Sequence, residues 1–364
     1  MAGPWPDQGV VLEEMGRVLG GGPYFATAVL AVQTLLAAPA GDRVAAELLS
    51  GICAGGLTAT LAAAGPGGRW DEAGVTLRAA QAAGGWQLTG AAAFVPDGAT
   101  ADVILAAART PAGISLFAVP RAAEGLTRTP LPAIDQTRKQ ARLDCTAVPG
   151  RLIGNDGAGW DVIGRGLRRA AVGLAAEQAG GAQRVLDMMV EHARARHQFG
   201  RPIGSFQAVQ HACAGVLVDV EAARSAAYYG LRAAAAQPAG PADAGAEAEL
   251  AAVASLAKAF CSEAYRHAAD TAIQVFGGTG LTWEHPVQLY FKRARSSEVL
   301  LGAPAPTTAN SWPATSPSDP RQTCSRMNCR MPSILKLARS TGLKADLTSG
   351  RASSRLRNSG RVAS

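Results

Sequence analysis

The stretch 161–198 constrains the fold more than any other part of the chain. It holds 38 residues without a proline and reads as one helix, roughly 57 Å long at 1.5 Å per residue. A helix of that length buries its apolar stripe only against others of similar length. The sequence supplies them. After the turn 199–205 a second helical run covers 206–236. The Pro- and Gly-rich loop 237–247 separates it from a third run over 249–276, which Gly277 and Gly278 stop. Pro286 opens a shorter helix ending near Leu301. Long helices with short connections form an antiparallel four-helix bundle, here placed over 156–303.

The preceding hundred or so residues have a different period. The runs 57–63, 75–80, 86–95, 101–108 and 114–120 are short, apolar and bounded by Gly, Pro and Asp; 126–132 and 138–149 continue the pattern. They predict strands of a β-barrel or sandwich over 56–155. Before them, 8–52 reads as helices, broken at Gly20, Gly21 and Gly22 and restarted at Pro23. The fold class is therefore α+β: a partial N-terminal helical domain (1–55), a middle β-domain and the bundle. From 304 to 364 the chain is rich in Ser, Arg and Pro without an apolar period, which predicts a disordered tail.

Charge excludes one class of function. The net charge is +7, but the tail alone carries ten Lys/Arg against two Asp/Glu, leaving 25 basic and 26 acidic residues in 1–303. A basic nucleic-acid-binding body is not supported. No apolar stretch is long enough for a membrane helix, and the N-terminus has no basic region before an apolar core, so a cytoplasmic protein is expected. The six cysteines (53, 145, 213, 261, 324, 329) lack metal-ligand spacing and read as reduced, buried thiols; no metal is expected.

Two motifs narrow the reading. Arg196-His197-Gln198-Phe199-Gly200-Arg201-Pro202-Ile203 is followed by Phe206-Gln207-Ala208-Val209-Gln210-His211, and Gln274-Val275-Phe276-Gly277-Gly278-Thr279-Gly280 by Thr282-Trp283-Glu284-His285-Pro286. A weaker third is Trp86-Gln87-Leu88-Thr89-Gly90 with Ala101-Asp102 in the strand region. With the helix–strand–helix order, these resemble the acyl-CoA dehydrogenase family over about 8–303. The likeness is strongest to short, divergent actinobacterial members, some of which form one half of a heteromeric enzyme.

The resemblance implies FAD as cofactor, an acyl-CoA thioester as substrate, and a homo- or hetero-oligomer with another such subunit. It implies cofactor contacts at Arg196, Phe199, Gln207, Gln274, Gly277 and Gly278, with the arginine reaching the flavin of a neighbouring subunit. His211 and His285 read as structural, and Glu284 as the partner of a nearby basic group.

The sequence also departs from the family. The N-terminal helical region is short, so part of the acyl-CoA cleft wall is expected to be missing. The family's hydroxyl- and acid-bearing flavin loop is replaced by Thr58-Ala59-Thr60-Leu61-Ala62-Ala63-Ala64-Gly65-Pro66. The glutamate that removes the α-proton falls here at Leu301, before Gly302, and the alternative position falls near Arg169 and Ala170. No catalytic residue is assigned: Glu298 lies one turn away, and Glu177 is expected on another face of the first bundle helix. Finally, back-translating 307–319 with G+C-rich codons and shifting the frame by one nucleotide gives HHRELLAGDLAER, the amphipathic helix that family members carry there. The tail is therefore expected to be a frameshift product.

Overall fold

The computed structural model describes residues 5–236 and 244–302. The tail and its expected disorder lie outside the described residues. Helix α1 (Trp5–Arg17) leads to a π-helical segment, Phe25–Ala31, continued by α2 (Val32–Leu36); α3 (Arg43–Cys53) follows, with Asp42 as its N-cap accepting from Ala45 N at 2.7 Å.

The middle region holds seven strands: β1 (Ala59–Ala62), β2 (Arg78–Ala82), β3 (Gly85–Pro96), β4 (Val103–Thr110), β5 (Gly113–Pro120), β6 (Leu126–Pro130) and β7 (Gln140–Ile153). Strand β4 pairs with β5 on one side and with β1 and the end of β2 on the other, so β4-β2-β3-β7-β5 closes on itself as a barrel, with β6 added to β7. The two-residue period sorts the side chains. Ile104, Ala106, Ala108, Phe117 and Val119 point into the barrel. Their neighbours Leu105, Ala107, Leu116 and Ala118 pack on the helices.

The bundle consists of α4 (Gly159–Ala195), α5 (Gln207–Ala235), α6 (Ala244–Phe276) and α7 (Val287–Val299). The first of these stops three residues earlier than the sequence suggests. Gln198-Phe199-Gly200-Arg201 forms a tight hairpin between β8 (His197–Gln198) and β9 (Arg201–Pro202), with φ of +54° at Phe199 and +75° at Gly200. Positive φ at both central residues is the twist a two-residue hairpin requires, and it draws Arg196 into an extended conformation.

Glycines set how closely the N-terminal helices approach α4. A Cβ on Gly180 would lie 1.8 Å from Glu13 O, one on Gly16 1.9 Å from Glu177 O, and one on Gly166 2.4 Å from Thr34 Oγ1. Backbone packs on backbone there, fixing α1 and α2 against the bundle. No helix among the described residues is long and apolar enough to cross a membrane. Of the described cysteines, Cys145 and Cys261 are buried, and burial raises their thiols to about 11 and about 12. Cys213 is half-buried and Cys53 exposed, correcting the expectation that all are buried: Cys53 ends α3 on its solvent side.

Candidate functional site

Arg196, Phe199, Gln207, Gln274, Gly277 and Gly278 are all exposed; Arg196 and Phe199 lie on the turn after α4, Gln207 opens α5, Gln274 lies in the last turn of α6, and Gly277 and Gly278 follow it. Phe199 and Gln274 line one pocket of about 450 Å³, together with Ile203, Phe206, Val209 and Val275. Arg196, Gln207, Gly277 and Gly278 do not line it, but each belongs to a turn or helix end that does. The hairpin pushes Phe199 outward until its side chain is 92% exposed, and Phe206 meets it edge-on at 6.1 Å between ring centroids. Arg201 stacks on the other ring, its guanidinium carbon 4.2 Å from the Phe206 centroid.

Arg196 is fixed through its backbone. Its N–H donates to His192 O at 2.9 Å, and its carbonyl accepts from Ile203 N at 2.8 Å. Its guanidinium has no ion-pair or hydrogen-bond partner among the described residues. Gly277 has a φ of +60°, which favours glycine. Gly278 does not, and a Cβ there would meet nothing within 4 Å. Nothing in the described chain demands glycine at 278.

The first motif contains Phe206 and Arg201 but gave them no role: Phe206 lines the pocket and Arg201 stacks on it. A ring stack between the helix ends was not expected from the sequence. Phe276 lies between His192 (4.5 Å between centroids) and His285 (4.2 Å). His285 accepts from Val287 N at 3.2 Å through Nδ1, as its structural reading implies. Glu284 is exposed and has no basic partner among the described residues, against expectation, because its turn holds it in solvent. His211 is exposed, and its side-chain hydrogen-bond contact among the described residues is to Gln207, at 3.5 Å.

The carboxylates near the expected base are committed elsewhere. Leu301 has a φ of +63° and packs with Leu300 and Trp70 on the apolar core. Ala170 is fully buried, and Arg169 pairs with Glu247 at 3.3 Å. Glu298 faces Arg295, 3.7 Å away; its carbonyl accepts from Lys258 Nζ at 2.9 Å, which ties the end of α7 to α6. Burial lowers that ammonium to about 8.

Glu177 faces two arginines in the interior. It is buried, bound by Arg138 and, at 3.1 Å, by Arg293. Burial pushes its carboxyl up, but the two guanidiniums outweigh burial and hold it below its ordinary range. A carboxylate so engaged is a poor proton acceptor.

In the β-domain, the Thr58 hydroxyl donates to Asp102 Oδ2 at 2.7 Å and that of Thr60 to Pro96 O. Ala62, Ala63 and Ala64 are buried. The loop therefore presents no free hydroxyl or carboxylate. No group of three or more His, Cys, Asp or Glu side chains placed to hold a metal ion occurs among the described residues.

Comparison with known proteins identifies relatives by sequence and by fold. The family model described as "Acyl-CoA dehydrogenase, C-terminal domain" matches residues 157–305. Acyl-CoA dehydrogenase IpdE2 of Mycolicibacterium smegmatis is 38% identical over 214 residues, 58% of this chain and 58% of the relative, so that match spans less than two thirds of the relative's length. IpdE2 of Mycobacterium tuberculosis is 32% identical over 302 residues, 83% of this chain and 75% of the relative. Among solved structures, the ChsE4-ChsE5 complex from Mycobacterium tuberculosis superposes with a TM-score of 0.70 at 29% identity, covering 82% of this chain and 77% of the matched one.

Proposed function

The chain belongs to the acyl-CoA dehydrogenase family, and from that premise we propose that it acts as a flavin-supporting subunit in the α,β-dehydrogenation of an acyl-CoA thioester, without supplying the catalytic base. The bundle and its two turns carry the cofactor contacts, and a companion subunit of the same family completes the site. The domain division at about 55 and 155 is part of the same reading.

The observation that carries it is the contrast between the two ends of the site. On the bundle, two of the six exposed residues, Phe199 and Gln274, line an apolar pocket, and the other four sit on the adjoining turns and helix ends. Their chemistry fits FAD: an unpaired guanidinium and a helix N-terminus at Gln207 suit a pyrophosphate, and the Phe199–Phe206 wall suits an aromatic ring. At position 301, in contrast, an apolar side chain packs where the reaction needs a carboxylate.

FAD, when bound, supplies the hydride acceptor. Arg196 binds phosphate, Gln207 and Gln274 orient through their amides, and Phe199 excludes water from the ring it covers. The ChsE4-ChsE5 complex, which pairs two different chains, supports a heteromeric assembly. Turnover of acyl-CoA thioesters by the purified assembly tests the division of labour. Glu298→Gln leaves kcat within about twofold of wild type if the base sits on the companion; a loss of tenfold or more would contradict it.

A further inference from the structure

Two turns carry the six exposed residues, and they come from helices far apart in sequence. Something must hold one turn in register with the other. The polar contacts of each turn are internal: Arg196 N–H to His192 O, Ile203 N–H to Arg196 O, Thr282 N–H to Thr279 O. Between them stands the stack His192–Phe276–His285.

Each member occupies a junction. His192 is in the last turn of α4, and its carbonyl accepts the hydrogen bond that sets Arg196. Phe276 is the last residue of α6, is buried, and directly precedes Gly277. Its Cβ lies 2.9 Å from where a Cβ on Gly280 would be, so the following turn folds closely over it. His285 precedes α7 and accepts from Val287 N, so it holds the start of that helix. The rings are tilted by 46° and 50° at centroid distances of 4.5 and 4.2 Å, which is full aromatic contact.

We propose that His192 and His285 are positioning residues: with Phe276 between them they form a clasp that sets the Arg196–Phe199 turn against the Gln274–Gly278 turn, and protonation of the imidazoles loosens it. The inference rests on the proposed role of these turns in holding FAD. The charged and titratable groups facing the stack explain the direction. His192 meets His285 across Phe276 and lies near Arg196; both, after burial itself, disfavour its charged form. Burial alone disfavours the charge on His285. No facing carboxylate offsets these effects for either ring. Both imidazoles therefore take protons more readily when the clasp is open, and acid favours opening.

The test has two arms. On the chain alone, hydrogen exchange of the Gly277–Leu281 amides is measured at pH 7.5 and 5.5 and corrected for intrinsic rates. Wild type is expected to lose about tenfold in protection at the lower pH. His192→Phe, which keeps a ring but cannot be charged, is expected to retain most of it, and His192→Ala to lose protection at both values. Equal wild-type protection at both pH values, or a His192→Phe profile identical to wild type, overturns the proposal.

On the flavin-containing assembly, retention of flavin through gel filtration is expected to fall over the same range and to be rescued by His192→Phe. Retention that is unchanged with pH while the exchange arm succeeds overturns the link to cofactor. If no assembly ever holds flavin, it is the functional reading that fails, and the exchange arm still decides the clasp.

Discussion

Replacing Glu177 by Gln removes one charge from a buried group of four. Asp135, Arg138, Glu177 and Arg293 have side-chain exposures of 1%, 6%, 4% and 4%, and their formal charges cancel. Glu177 contacts both arginines, whereas Asp135 reaches only Arg293 among them, at 3.5 Å. The substitution leaves a net positive charge in the interior and strips Arg138 of its only salt bridge among the described residues. Its Nε and Nη1 already lack partners. Breaking a buried pair from one side costs about 3–5 kcal/mol, which lowers Tm by roughly 10 °C for a unit of this size.

The assay is thermal unfolding by circular dichroism at pH 7, with the double variant Glu177→Leu/Arg138→Met alongside. The double variant leaves Arg293 paired with Asp135 and the interior neutral, so it is expected to recover most of the loss. The wild-type contribution is present at neutral pH and fades as pH falls through the lowered native value, because the unfolded state takes up the proton first. A Glu177→Gln protein that melts within about 2 °C of wild type would refute the reasoning, since a solvent-accessible carboxylate behaves that way.

Other expectations follow from the same geometry. Arg196→Ala in the assembly weakens flavin binding about 10- to 100-fold, the effect of losing a charge-assisted contact to phosphate, measured by flavin release against added FAD. Gly180→Ala places a methyl carbon against the Glu13 carbonyl, which backbone alone cannot yield. It lowers stability by about 3 kcal/mol or more in a urea titration. Lys258 has a native value of about 8 against an ordinary 10.5, so its native form releases the proton first. Stability gains from this group between those values as pH rises, and Lys258→Met abolishes that part of the profile in pH-dependent melting. Nucleotide sequencing of the gene through codon 306 tests the frameshift: the neighbouring frame should encode a helix like HHRELLAGDLAER.

Much of the architecture was legible because it is written in local periods. The proline-free run after 160 marked α4, and the short apolar runs 101–108 and 114–120, bounded by Gly, Pro and Asp, marked two strands. The two glycine-containing turns were legible because their residue types are unusual in combination. What escaped detection depends on contacts distant in sequence. Nothing local tells that Glu177 meets an arginine 39 residues before it and another 116 after it. The end of α4 was misplaced because helical residues His197 and Gln198 are overruled by the hairpin that follows. His285 read as structural, but its partner Phe276 and the opposing His192 emerge only when three helix ends meet.

This chain provides only part of a flavin site in the proposed function. The most direct test is the visible absorption spectrum of the chain purified alone and after co-expression with a companion acyl-CoA dehydrogenase-like subunit. No bound flavin is expected in the chain alone, and stoichiometric flavin in the complex. A full flavin spectrum from the chain by itself would contradict it and point to a self-sufficient homo-oligomer.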